Sequence, residues 1–341
     1  MLFVGLIFGT GFKKAFRSGI TIGIGFVGIN LVIGLLTSNL GTAAQAMVER
    51  FGISLNVIDA GWPAAAAASW AMPISVILIP ILLGVNLLMI VFKMTKTLDV
   101  DIWNYWHFIA AGATGYIVTG GSVWFAVVCA VIYEVIVLVM ADRTQHYAED
   151  FFGLEGISLP TGSTIAFGML GIPIGYVVGK IPGLKNLNAD PETIQNRLGI
   201  FGEPMMVGLI LGSMIGLLGG YGLGEAFQVG IAMAGVMVLM PRMVKLLMEG
   251  LIPISESARE FMKQRFPGRD LYIGLDAALA VGHPAVMSTA LLLTPITLLI
   301  AVLLPGNRVL PFGDLATITF YVAFIVASRK GNIVQSVITS A

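Results

Sequence analysis

The sequence predicts an all-α polytopic membrane protein built from inverted-topology repeats. Three features carry this expectation: an apolar composition, a series of segments long enough to span a bilayer, and a one-sided division of basic residues among the connecting loops. Apolar residues make up 57% of the 341 positions and charged residues 11%, with a mean hydropathy of +0.92; soluble domains carry about 25% charged residues. Glycine occurs 42 times, as expected where helices approach closely in lipid or are interrupted. Net charge is zero, so no nucleic-acid partner is expected. The single Cys129 falls within the apolar run 122–141, where it is expected to pack as a small hydrophobe. Met1 opens onto an apolar stretch with no basic n-region or cleavage site, so no signal peptide is expected.

A span requires about 20 apolar residues. Candidates lie near 1–12, 18–37, 73–92, 102–119, 122–141, 203–220, 225–241, 286–304 and 313–328, with a further one starting near 332. With the N-terminus outside and 163–179 not crossing, seventeen of the nineteen Lys and Arg residues fall on one side, and only Arg50 and Arg308 on the other. Basic loops favour the cytoplasm, which fixes the orientation and places the chain in a bacterial inner membrane as a multi-pass protein. The segment 163–179 holds four Gly and one Pro. It is expected to be re-entrant or interfacial; as a span it would reverse everything after it.

An internal repeat supports this threading. Val4-Gly5-Leu6-Ile7-Phe8-Gly9 echoes Val207-Gly208-Leu209-Ile210-Leu211-Gly212, and Gly61-Trp62-Pro63 echoes Gly282-His283-Pro284. Asn86 and Asn307 each follow the Pro by 23 residues, and Asp101 echoes Asp314. The loops differ in charge: 13–17 has three basic residues and its counterpart 219–226 has none, whereas 38–56 has one and 247–272 has four. Matching loops therefore face opposite sides, as in inverted repeats that enclose a midplane site. The expected organisation is a first repeat at 1–141, a cytoplasmic linker at 142–202 with a non-spanning apolar segment, and a second repeat at 203–341.

Polar residues at membrane depth give the candidate site. Asp59 through Pro63, and Asp276 leading to His283-Pro284, are expected helix breaks, and paired breaks point to a binding site; ordinary proline kinks are the alternative. Asn104 and His107 share a helix face at i, i+3, beside Trp103, a pairing suited to a polyol; an interfacial aromatic belt is the other reading of Trp103, Tyr105 and Trp106. Glu203 opens a span, where an acid also complements the helix dipole, and Asp314 either serves a ligand or caps the helix that follows it. Glu134 lies deep in an apolar run, where a charge costs roughly 2.5–3.5 kcal/mol. The substrate-binding candidates are therefore Asp59, Trp62, Asn104, His107, Glu203, Asp276, His283 and Asp314. No metal site, cofactor or nucleotide-binding motif is expected, so energy must come from another chain or an ion gradient.

Several stretches together resemble the membrane component, enzyme IIC, of the galactitol-type phosphotransferase system in the ascorbate–galactitol superfamily. They are Gly23-Ile24-Gly25-Phe26-Val27-Gly28, Val57-Ile58-Asp59-Ala60-Gly61-Trp62-Pro63, Val100-Asp101-Ile102-Trp103-Asn104-Tyr105-Trp106-His107, Phe201-Gly202-Glu203-Pro204, Ile273-Gly274-Leu275-Asp276 and Val309-Leu310-Pro311-Phe312-Gly313-Asp314-Leu315-Ala316-Thr317. The resemblance implies an elevator-type homodimeric permease whose hairpin-bearing core moves against a dimerising scaffold. It also implies a polyol substrate, galactitol foremost, phosphorylated by a phosphocysteine on a separate IIB subunit that IIA, HPr and enzyme I supply. Cys129, inside a span, is not that residue. A base near the attacking hydroxyl is the physical requirement, with His107, Glu203 and His283 as candidates. Members of the family usually extend further at both ends, so both repeats are expected to be shortened here. An ion- or proton-coupled secondary transporter of a small polar solute is the principal alternative. A lipid-acting membrane enzyme would need an interfacial catalytic constellation, and the sequence offers none with suitable spacing.

Overall fold

Most of the expected spans fall on helices, while the one expected at 1–12 is divided between a six-residue helix and the start of the next. The computed structural model describes residues 2–50, 52, 57–58, 61–184, 189–193, 199–265, 270–311 and 314–341. The first part of the chain runs α1 (Leu2–Ile7), α2 (Phe12–Arg50), β1 (Val57–Ile58), α3 (Gly61–Ala71), α4 (Ser75–Val91) and β2 (Thr97–Asp99). A 3-10 turn (Ile102–Asn104), α5 (Tyr105–Val118) and α6 (Val123–Asp150) follow, then β3 (Ile157–Ser158) and α7 (Gly162–Val178). The remainder contains α8 (Pro204–Leu218), α9 (Leu223–Arg265), β4 (Tyr272–Gly274), α10 (Ala278–Val281), α11 (Pro284–Leu303) and β5 (Val309–Leu310). A second 3-10 turn (Gly199–Gly202) precedes α8, and a third (Leu315–Thr317), α12 (Ile318–Ser328) and α13 (Ile333–Ser340) close the chain.

Among the described residues four helical stretches are long and apolar enough to cross a membrane: Phe12–Met47, Val123–Asp150, Leu223–Ile254 and Pro284–Ala301. Two boundaries differ from the sequence expectation. The stretches 38–56 and 247–272, read as polar loops, continue as helix to Arg50 and Arg265. Most of their polar residues are good helix formers, and the helices run on through Gly41 in one and Gly250 and Pro253 in the other. The segment 163–179 is the helix α7, with Pro173 in its interior.

The two halves have the same element order: two helices, a short strand, two helices, a strand, a 3-10 turn and two helices. The strands pair reciprocally. β1 is parallel to β5, with Val57 opposite Val309, and β4 is parallel to β2, with Tyr272 opposite Thr97. The two asparagines noted in the sequence play matching parts. Asn86 Nδ2 donates to Thr97 O and its Oδ1 accepts from Asp99 N, both at 2.9 Å. Asn307 Nδ2 donates to Val309 O at 2.9 Å and its Oδ1 accepts from Val309 N at 3.2 Å. Each amide thus serves as a short extra strand, satisfying backbone groups at a sheet edge.

The chain forms two compact units: Met1–Gly23 with Pro63–Met169 and Leu246–Leu279, and Ile24–Trp62 with Leu170–Lys245 and Ala280–Ala341. In the first, α5 packs on α6 through glycine; a Cβ on Gly115 would lie 2.9 Å from Cys129 Sγ, and one on Gly112 would lie 3.0 Å from Ala126 O. In the second, Gly208, Gly212 and Gly216 of α8 lie so close to α9 that added Cβ atoms would come 2.6–2.9 Å from Met233 and Ala226. Such small-residue faces let helices approach where lipid offers no hydrophobic drive to associate.

Candidate functional site

In the first unit, three parallel strands end side by side and bring polar residues from distant parts of the sequence together. β4 lies between β2 and β3, pairing Asp99 with Gly274 and Ser158 with Gly274. Gly274 permits this: a Cβ there would sit 2.8 Å from Asp99 Cα. Just past the three strand ends stand Asp101, Asp276 and Thr161.

Their hydrogen bonds form one buried network. Asp101 Oδ1 accepts from Trp103 N at 3.1 Å, capping the 3-10 turn, and its Oδ2 accepts from Asp276 N at 3.2 Å. Asp99 Oδ1 accepts from Asp101 N at 3.2 Å and from Asn104 Nδ2 at 3.1 Å. Thr161 Oγ1 accepts from Ala277 N at 2.7 Å and stands 3.0 Å from Asn104 Oδ1 and 3.3 Å from Asp276 Oδ2, its two possible acceptors. Asp276 Oδ1 accepts from Ala278 N at 2.8 Å. Asn104 is fully buried, and Asp99, Asp101 and Asp276 are nearly so. Asp99 Oδ2 has no partner among the described residues.

Burial dominates the electrostatics of these acids. Desolvation pushes Asp99 well above the usual carboxylate range, against the opposing bond from Asn104 and with added repulsion from Asp101. Asp276 is raised by burial and then by Asp101, while Ala278 N–H and Thr161 hold it back. Asp101 is raised by burial and moderated by the N–H groups of Trp103 and Asp276.

His107 joins this network from the first turn of α5. Its Nδ1 lies 3.1 Å from Asn104 O and its Nε2 3.1 Å from Ser163 Oγ. A carbonyl only accepts, so the neutral ring carries its hydrogen on Nδ1 and accepts the Ser163 hydroxyl at Nε2. Gly162 lets the start of α7 come this close: a Cβ there would lie 2.8 Å from both His107 Cβ and Tyr133 Oη. Glu134, on α6, is fully buried, and both carboxylate oxygens lack partners among the described residues.

The remaining candidates belong to the second unit. His283 is the N-cap of α11, its Nδ1 accepting from Ala285 N at 3.2 Å, and Pro284 occupies the first helical position. Trp62 lies in the first turn of α3. Both Gly-x-Pro motifs therefore start helices rather than kink them, as proline does where no intrahelical N–H is needed. Among the described residues Pro80, Pro173, Pro241, Pro253 and Pro295 lie in helix interiors. Asp314 precedes the third 3-10 turn as Asp101 precedes the first, and its Oδ1 accepts from Tyr321 Oη at 2.8 Å and Thr317 Oγ1 at 3.3 Å. Glu203 stands at the N-cap of α8 without a side-chain capping bond, half-buried. Asp59 lies outside the described residues.

A family model described as "PTS system sugar-specific permease component" (EIIC-GAT) matches residues 1–341. The chain belongs to this family. It is a sugar-specific IIC permease of the phosphotransferase system, a multi-pass protein of the bacterial inner membrane. It is 43% identical over 324 residues to the "PTS system galactitol-specific EIIC component" of Escherichia coli (strain K12), covering 95% of this chain and 72% of that protein. It is also 40% identical over 339 residues to a "Putative permease IIC component" of the same organism, covering 99% of this chain and 77% of the relative.

Of the sequence candidates, the permease brings Asn104, His107 and Asp276 into one network within its first unit. Sequence reasoning missed Asp99, Asp101, Thr161 and Ser163 as site residues. Asp99 stands two residues from Asp101, and two acids so close beside an apolar segment were a usable signal. Thr161 and Ser163 sit in a Pro-Thr-Gly-Ser run that marked only a loop. Among the described residues no group of three or more His, Cys, Asp or Glu side chains is placed to hold a metal.

Proposed function

We propose that this permease carries a polyol, galactitol foremost, and presents it at the cytoplasmic face to the phosphocysteine of a separate IIB subunit. The observation that carries the substrate reading is the network of Asp99, Asp101, Asn104, His107, Thr161 and Asp276 at the ends of three parallel strands. Carboxyl, amide, hydroxyl and imidazole groups offer donors and acceptors together, which is what adjacent hydroxyls require. The 43% identity to a galactitol-specific relative supports the same substrate class. Trp62, Glu203, His283, Asp314 and Asp59 remain further candidates for contacting the polyol in this reading, and His107, Glu203 and His283 are the candidates for the base at the attacking hydroxyl.

The architecture we infer is a pair of inverted repeats, 1–141 and 203–341, joined by 142–202 and working as a homodimeric elevator. The repeated element order, the reciprocal pairing of β1 with β5 and β4 with β2, and the matching asparagines support the repeats. The threading places the basic loops inside, where IIB, and behind it IIA, HPr and enzyme I, would meet the permease. The experiment is calorimetric titration of the purified protein with galactitol and its stereoisomers mannitol and glucitol. The reading expects galactitol to bind more tightly than mannitol and glucitol; binding of none of the three would remove the polyol assignment.

A further inference from the structure

Trp103 of the first unit is tied to the polar network by its backbone alone, and Trp70 stands beside it. Trp70 lies at the end of α3 and Trp103 in the 3-10 turn, with ring centroids 6.5 Å apart and planes tilted by 34°. Trp103 is 42% exposed, although its own backbone N–H is bound to the buried Asp101 carboxylate. An open indole is therefore carried on a backbone that the closed polar network holds. Trp70 shows the opposite anomaly. Its Nε1 is buried and has no acceptor among the described residues. An indole nitrogen is donor-only, so leaving it unmet is costly. Asp99 Oδ2, two hydrogen bonds behind Trp103 in the same network, is buried and also has no partner among the described residues.

We propose that the Trp70–Trp103 pair is the stacking platform for the substrate. The C–H face of a polyol lies on the Trp103 ring, and a hydroxyl accepts from Trp70 Nε1–H. This rests on the polyol reading given above. The ligand class follows from the unmet atoms: a hydroxyl accepts from an indole N–H and donates to a carboxylate oxygen, and its C–H bonds lie against an aromatic face. An interfacial belt accounts for the exposure of Trp103. It does not account for Trp70, because a belt indole turns its N–H toward water or headgroups.

The test is calorimetric titration of detergent-purified protein with galactitol, comparing wild type with Trp70→Phe, Trp103→Ala, Trp103→Phe and Trp124→Ala. Trp124, 76% exposed on α6, is the control. Trp103→Ala is expected to weaken binding about tenfold or more, for the lost stacking. Trp70→Phe, which keeps a ring and loses the N–H, is expected to weaken it several-fold, with Trp124→Ala unchanged. If Trp103→Ala does not elute as a folded species, Trp103→Phe with Trp70→Phe decides the matter. Wild-type affinity in the folded variants of both positions overturns the platform and leaves the polyol reading standing. If the wild type binds a different sugar in place of galactitol, the galactitol reading falls. The same variants titrated with that sugar then judge the platform, and unchanged affinity overturns it. Binding of no sugar by the wild type overturns both.

Discussion

Asn104 Nδ2 donates to Asp99 Oδ1 across 3.1 Å, tying the 3-10 turn ahead of α5 to the end of β2. The other end of the same amide faces Thr161 Oγ1 at 3.0 Å. Asn104 is thus held from both sides, and its orientation is set by residues five and fifty-seven positions away.

Replacing Asn104 with Ala leaves Asp99 Oδ1 and the Thr161 hydroxyl each short of a buried partner. We expect a loss of about 1–3 kcal/mol in stability, together with weaker galactitol binding. Asn104→Asp places another acid beside Asp99 and is expected to be worse than the alanine variant. Thermal melts and calorimetric titration of the two variants check both statements; a melt equal to wild type in Asn104→Ala would show the amide to be dispensable.

Stability should fall as pH rises. Asp99, Asp101 and Asp276 are all raised above their ordinary values, chiefly by burial. Between the unfolded and folded pKa the native state therefore holds more protons than the unfolded one. By linkage the native state loses stability through that window, and the contribution is fully present only below the usual carboxylate range. Melting temperature is expected to decline from mildly acidic to neutral buffer, and Asp276→Asn should flatten the decline. An equally steep profile in that variant would remove Asp276 from the explanation.

His283 allows capping to be separated from ligand contact. His283→Ala removes the acceptor for Ala285 N and is expected to cost about 1 kcal/mol. His283→Asn restores a capping oxygen and should recover the melt. If His283 also serves the substrate, binding stays weak in both variants. Recovery of affinity in His283→Asn would leave it as a cap alone.

Orientation is tested by single-cysteine labelling in a Cys129→Ser background. Position 308 is expected to react from outside, and positions 14, 96 and 263 only from the cytoplasm, following the basic-residue bias. Labelling of 263 from outside would mean that α7 crosses the membrane and that the inverted threading fails.

Much of the helical layout was legible because spans, glycine-rich turns and N1 prolines are local signals. Ser122 and Asn332 open α6 and α13 as caps, each after a glycine-bearing turn. The polar network was only half legible. Asn104 and His107 share a helix face and could be paired by spacing alone. Asp276 reaches Asp101 through the parallel pairing of β2 with β4, and Thr161 reaches Asn104 through β3. These strands are two or three residues long and leave no periodic trace. Hydropathy also misjudged where α2 and α9 end, because it reads polar composition and not helix propensity.

The most direct test of the account is galactitol uptake by membrane vesicles containing the permease with its IIB subunit and the IIA, HPr and enzyme I proteins. Uptake should require phosphoenolpyruvate, withstand a protonophore and deliver galactitol phosphate. Accumulation of free galactitol on an ion gradient, without phosphoenolpyruvate, would contradict it.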